Sequence, residues 1–335
     1  MTGFAELPGR IAALTREHDR VAVVLLDAFG WKFVQRHADH PFLRRLAIEP
    51  VASQFPSTTT AHLTTLYTGL PVEQHGLYEW QVYDPGLDTI ILPLPFVSAD
   101  GPLPLGPREL VPGPTLFEQL EVPSLVLQQS TIWPGKYGSA AFTGARVEAF
   151  ERFEEATARL SGRGLTYIYW DAIDATGHRH GPSSAAFDAA SLAALDALES
   201  VRDTFILVTA DHGQIDVGAH IDFLDELWPP LLEHLTQRVP AGSARDCFLH
   251  VREPDRVVGE LSARLGQRAE VRHAAELFPD AGPRLLARLA DVCVLPAPGR
   301  MAWLRSHPSH QLRFKGHHGG RTPEESETWV GIMQA

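Results

Sequence analysis

Several acids and imidazoles in this chain are of the types, and at the spacings, that hold divalent cations. Asp211 and His212 are adjacent and followed by Gly213, Asp174 stands four residues before His178, Asp27 closes a short apolar run, and His317 and His318 precede a Gly-Gly pair near the C-terminus. An Asp and a His four apart can meet one ion from one turn or tight loop. Three carboxylates with three or more imidazoles form a donor set suited to zinc, with manganese as the second choice. Six such donors exceed what one tetrahedral ion takes, so two ions are the economical reading.

A second kind of chemistry is written in Phe55-Pro56-Ser57-Thr58-Thr59-Thr60, which runs into a helical pattern. The first turn of a helix presents free N–H groups that favour an anion, so a Thr placed there can approach a phosphate. A hydroxyl alone is a weak nucleophile, and a divalent cation beside it lowers its pKa. The same run has the composition of a helix cap, a role open to Ser57 or Thr58.

These residues need elements to position them. Residues 21–27, 165–171 and 204–211 are short apolar runs that each end in an acid, the pattern of strands buried on both faces. Acids at the carboxyl ends of parallel strands lie where open α/β sheets bind their ligands. Helical patterns at 58–68, 148–160 and 184–200 alternate with the strands. The expected fold is therefore α/β, doubly wound, with a mostly parallel central sheet and helices on both faces. Residues 81–115 are rich in Pro and Gly and are expected to pass over the site. Residues 215–305 break the strand–helix rhythm, so 1–214 with 306–335 form the expected metal-binding catalytic core and 215–305 an inserted cap.

Bulk properties narrow the class. The chain has 335 residues, with 44% hydrophobic and 21% charged, as expected for a folded globular protein. Its net charge of −12 argues against a nucleic-acid polymer as partner, because such binding needs Lys and Arg to displace counterions. A small anionic substrate remains compatible, since bound cations reverse the local field. Cys247 and Cys293 are too few for a disulfide scaffold and are read as ordinary thiols. The N-terminus has no basic start followed by an apolar run, and no apolar stretch reaches the roughly 20 residues that span a bilayer. The expectation is a cytoplasmic protein without a membrane partner; oligomerisation is left open.

The order of these motifs resembles the alkaline phosphatase superfamily, and within it the nucleotide pyrophosphatase/phosphodiesterase branch. The resemblance rests on Asp27, then Phe-Pro-Ser-Thr-Thr with Thr-Gly-Leu-Pro and His-Gly (55–76), Asp-x-x-Gly-His-x-x-Gly-Pro (174–182), Asp-His-Gly (211–213) and His-Gly-Gly (318–320). It implies an alkaline-phosphatase-like fold and a metal-dependent hydrolase of phosphate esters, working through a phosphothreonine on Thr59. It implies one ion held by Asp27, Asp211, His212 and the Thr59 oxygen, and another held by Asp174, His178 and His318, with Asp171 in a supporting role. Sibling activities are phosphomonoesterase and phosphonate hydrolase, and a metal-stabilised binding protein without turnover is a further alternative. Family members carry an Asn shortly after the His-Gly corner; here the aligned residue is Trp80, which implies a different phosphoryl clamp. Lys136 could reach an anionic substrate or be a surface residue. Tyr78 and Trp80 could stack a base, line an apolar pocket or pack under the long loop.

Overall fold

Val21, Val23 and Leu25 face one layer of the protein, Ala22, Val24 and Leu26 the other, and all six are fully buried. The computed structural model in which they lie describes residues 2–132, 135–160, 162–218 and 220–333. Those six residues belong to a strand at the centre of an eight-stranded sheet. In chain order its strands are β1 (Thr2–Gly3), β2 (Arg20–Leu26), β3 (Ala47–Ala52), β4 (Ser124–Gln129), β5 (Arg146–Phe150), β6 (Gly164–Trp170), β7 (Phe205–Thr209) and β8 (Glu327–Met333). Their order across the sheet is β1-β3-β8-β7-β2-β6-β4-β5. Only β8 runs antiparallel to its neighbours.

Helices cover both faces, as the alternation of strand and helix requires. On one side α1 (Leu7–Glu17) and α2 (Thr59–Thr68) bury Leu7, Ile11, Leu63 and Leu66 against Val23, Leu165 and Leu207. On the other, α3 (Ala172–His180) and α4 (Ala185–Glu199) bury Ile173, Phe187, Leu195 and Leu198 against Val24, Ile168 and Val208. The α4 helix starts where Ser184 Oγ accepts from Phe187 N at 3.2 Å, a side-chain N-cap. The fold is thus α/β with a mostly parallel sheet, as expected.

One helical expectation fails. Residues 148–160 do not form a single amphipathic helix: Arg146–Phe150 is the edge strand β5, paired in parallel with β4, and only Phe153–Thr157 is helical. Pairing at an open sheet edge overrides a local helical pattern.

Two four-stranded sheets flank the main one. Val82–Asp84, Thr89–Leu92, Val97–Ser98 and Gly101–Pro102 form an antiparallel sheet within the Pro/Gly-rich segment. Ala241–Ser243, Asp246–Leu249, Val292–Pro296 and Ala269–His273 form another, backed by α5 (Pro254–Leu265) and a core that includes Leu249, Leu261, Val294 and Trp303. Cys247 and Cys293 are free thiols buried in that second sheet.

Candidate active site

Parallel register brings the acids to one level. Leu26 pairs with Trp170 and Leu25 with Thr209, so Asp27, Asp171 and Asp211 leave adjacent strands within a residue of one another. Asp171 begins α3, and the first turn of that helix carries Asp174 to the same edge, one turn before His178. The α2 N-terminus points into this crevice. Its first helical backbone bond runs from His62 N to Thr58 O at 3.2 Å, and no side chain caps the preceding N–H groups. His62 clamps the turn: its Nδ1 lies 2.7 Å from Thr58 O while its Nε2 accepts from Gln54 N at 2.9 Å.

Two side-chain groups meet there. In the first, Thr59 Oγ1 lies 3.1 Å from His212 Nε2 and 3.4 Å from Asp27 Oδ2. His212 Nε2 is in turn 3.5 Å from Asp27 Oδ1 and 3.4 Å from Asp211 Oδ2. In the second, Asp174 Oδ2 lies 3.2 Å from His178 Nε2 and Asp174 Oδ1 lies 3.6 Å from His318 Nε2. Donor atoms of Asp27, Asp211 and His212 lie within 4.8 Å of one another, as do those of His178, His317 and His318.

The electrostatics fit cations. Burial, with Asp211 and Asp174 nearby, pushes the Asp27 carboxyl well above its ordinary range, and burial raises Asp211 too. Asp211 Oδ2 is buried without a hydrogen-bond partner. Burial lowers His212 to about 4 and His318 to about 3, so both imidazoles are neutral near pH 7. Burial would lower His178 as well, but the Asp174 carboxylate beside it more than offsets this. The Nδ1 atoms of His178, His212 and His318 sit 2.8, 3.0 and 2.9 Å from the carbonyl oxygens of Gly316, Gly213 and Ser57. Each Nδ1–H therefore donates to the backbone, which turns each Nε2 toward the crevice, as in histidines that bind metals. Crowded carboxylates, an orphaned carboxylate oxygen and three oriented imidazoles make a cage that divalent ions would neutralise.

Close backbone approaches explain two of the motif glycines. A Cβ on Gly213 would lie 2.1 Å from Glu324 O, and one on Gly177 would lie 2.0 Å from Gln214 Oε1. The space at Gly177 lets Gln214 Nε2 reach the Asp174 carboxylate.

Several partners were not legible in the motifs. The Tyr169 hydroxyl donates to Asp27 Oδ2 from the last turn of pleat before the sheet edge. Its one sequence signal is its place two residues before Asp171 in an alternating strand. Gln214 carried no signal. Neither did the buried acids Glu79 and Asp246, which gather with Ser243 around Gly319; Ser243 Oγ donates to Asp246 Oδ1. Burial raises Glu79 to about 8.

A cavity of about 570 Å³ opens over these groups and includes Trp80 in its wall, with Leu94 and Pro95 from the Pro/Gly-rich segment. Tyr78 and Lys136 are not part of it. Tyr78 is fully buried, edge-on to Phe248 and Phe278 at 5.0 and 5.9 Å between ring centroids, so it packs the core beneath the long loop and cannot stack a base. Lys136 is exposed, its Nζ 5.7 Å over the Phe96 ring, because the helix it begins turns Tyr137 and Gly138 toward the cavity instead.

Residues 21–95 and 119–321 match the sequence profile of the family described as type I phosphodiesterase / nucleotide pyrophosphatase. No curated protein matches the sequence. Among solved structures, murine ectonucleotide pyrophosphatase/phosphodiesterase 5, as an inactive Thr-to-Ala variant in complex with AMP, superposes with a TM-score of 0.70 at 18% identity over 94% of this chain and 88% of that one. The human ectonucleotide pyrophosphatase/phosphodiesterase 5 superposes with a TM-score of 0.68 at 17% identity over 93% and 87%.

Proposed function

The chain belongs to the type I phosphodiesterase/nucleotide pyrophosphatase family, and from that premise we propose that it hydrolyses a phosphodiester or pyrophosphate bond of a small substrate through a phosphothreonine on Thr59. The observation that carries this is the placement of Thr59 Oγ1 at the uncapped start of α2, 3.1 Å from His212 Nε2 and 3.4 Å from Asp27 Oδ2. Asp27, Asp211 and His212, with the Thr59 oxygen, would hold one divalent ion. Asp174, His178 and His318 would hold the second, with zinc favoured by the mixed imidazole and carboxylate donors and manganese next. When bound, such ions lower the pKa of a neighbouring hydroxyl and offset charge on the attacking and leaving oxygens.

The protein's own groups do the rest. The free N–H groups of α2 bind a phosphoryl oxygen. Thr59 Oγ attacks phosphorus in line, one ester arm departs, and water then cleaves the phosphothreonine to release a phosphomonoester. That the murine relative is inactive as a Thr-to-Ala variant and binds AMP supports a threonine nucleophile and a monoester product. Segment 215–305 is read as a cap, since Ser243 from it reaches the cavity wall. No described helix is long and apolar enough to cross a membrane, which suits a small dissolved substrate.

The test is a substrate panel with added zinc or manganese: bis-p-nitrophenyl phosphate, p-nitrophenyl phosphate and phosphonoacetate. Turnover is expected first on the diester, and Thr59→Ala should lower kcat by about a thousandfold or more, as when a covalent nucleophile is removed. Preference for the monoester or the phosphonate would move the assignment to that sibling activity. Full activity in Thr59→Ala would remove the nucleophile, and two bound ions with no turnover would point to a binding protein.

A further inference from the structure

His317 is only 2% exposed, yet its Nε2 has no hydrogen-bond partner. The residue lines the cavity, and one of its ring nitrogens lies within 4.8 Å of ring nitrogens of both His178 and His318. Backbone pairing fixes it there. Gly316 and His317 pair antiparallel with Asp216 and Ile215, and Gly316 O accepts from His178 Nδ1 at 2.8 Å. The His317 ring centroid is 5.4 Å from that of His178, with the two planes at 84°, and 5.6 Å from that of His318. A buried polar atom left without a partner costs free energy unless a ligand or a water meets it.

The proton on that ring is placed by its neighbour. His318 N donates to His317 Nδ1 at 2.8 Å. An amide N–H has no lone pair to offer, so Nδ1 must accept, and the proton of the neutral ring sits on Nε2. His318 O, 2.9 Å from Nδ1, can go without this bond, whereas a proton on Nδ1 would be set against the amide proton. His178, His212 and His318 have the opposite arrangement, with Nδ1–H on a backbone carbonyl and Nε2 free of a proton. His317 therefore brings an N–H donor to a group whose other imidazoles bring lone pairs.

The charge of the wall gives such a donor its task. Among the described residues the cavity wall holds no Lys or Arg. The uncapped N–H groups of α2 lie on the Thr59 side. On the side of Asp174, His178 and His318, the donor is His317 Nε2–H.

We propose that His317 is a catalytic residue whose Nε2–H donates to an anionic phosphoryl oxygen held beside Asp174, His178 and His318, and that it is not itself a ligand of an ion there. The inference rests on the phosphodiesterase function proposed above and adds a residue to that site. A donor already in place needs no reorganisation as charge builds on the oxygen, and in a buried site it is worth more than in water.

The experiment compares the zinc-loaded full chain with His317→Leu, which removes the donor, and His317→Gln, which restores a side-chain N–H. For bis-p-nitrophenyl phosphate, kcat/KM should fall about a hundredfold in His317→Leu, and His317→Gln should regain about tenfold of that loss. Inorganic phosphate should bind about tenfold more weakly to His317→Leu by calorimetry, while elemental analysis finds two ions in each protein. Imidazole nitrogen NMR of the unsubstituted, metal-free chain reads the tautomer without any substitution and should show the His317 proton on Nε2. Unchanged kcat/KM and phosphate binding in His317→Leu overturn the proposal. So does loss of an ion from that variant, a His317 proton on Nδ1, or a glutamine variant no better than the leucine one. Weaker phosphate binding in His317→Leu, with no turnover by the parent chain, upholds the donor and overturns the hydrolase reading instead.

Discussion

The imidazoles of His212 and His318 stack face to face, 3.8 Å between ring centroids and 18° between planes. One follows β7 and groups with Asp27, Asp211 and Thr59; the other comes from the loop before β8 and groups with Asp174 and His178. The stack is thus the contact that joins the two side-chain groups, and it assigns different weights to two adjacent histidines. His318→Ala is expected to leave one bound divalent ion per chain instead of two. His317→Ala is expected to keep both, because it is His318 whose Nε2 approaches Asp174 and whose Nδ1 is held by Ser57 O. Elemental analysis of the purified variants decides between them, and the reverse pattern would transfer the ligand role to His317.

Tyr169 should tune the affinity of the Asp27 site for a divalent ion. Its hydroxyl donates to Asp27 Oδ2 and fixes the carboxylate that also faces Thr59. Removing such an outer hydrogen bond typically costs about 10–100-fold in metal affinity. Tyr169→Phe, which keeps the ring, should show that loss in a chelator-competition titration while the circular dichroism spectrum stays unchanged.

Arg245 and Glu325 should anchor the loop that carries His318. Both side chains are buried, their paired contacts are 3.0 Å each, and Glu325 also accepts from Gly320 N at 3.0 Å. Breaking one side of a buried, hydrogen-bonded pair costs about 3–5 kcal/mol. Arg245→Ala should therefore lower Tm by roughly 5–15 °C. An unchanged Tm in Arg245→Ala would mean that the pair contributes no net stability.

Glu79 should make the metal-free protein less stable as pH rises. Burial lifts its carboxyl from 4.5 to about 8, so between those values the folded chain keeps a proton that the unfolded chain has released. The stabilisation is complete below the lower value and is lost as pH climbs through the upper one. In chelator, Tm should fall by about several degrees between roughly pH 5 and 8. Glu79→Gln should flatten that slope, and a variant with the same slope as the parent would place the titration elsewhere.

Much of this was legible in the chain because it is local. An apolar run closed by an acid defines both a buried strand and the side chain at its end, which is why Asp27 and Asp211 could be found without coordinates. Asp174 and His178 share a helical turn by spacing alone, and residues 58–68 read directly as a helix. What depends on another part of the chain was hidden. Tyr78 and Lys136 both looked able to meet substrate, and only their neighbours, Phe248 and Phe278 for one and Phe96 for the other, turn them away. The segment 148–160 looked helical until β4 offered it an edge to pair with.

The sequence by itself determined which residue types could form a cation cage and which strands would deliver them, because strand and helix periods act over a few residues. Tertiary structure decided how those groups face one another. The stack of His212 on His318, the hold of Tyr169 on Asp27 and the buried Glu79 beside Asp246 each join segments far apart in the chain. Their contacts arise only once parallel pairing has set the register of the sheet and distant segments have packed together.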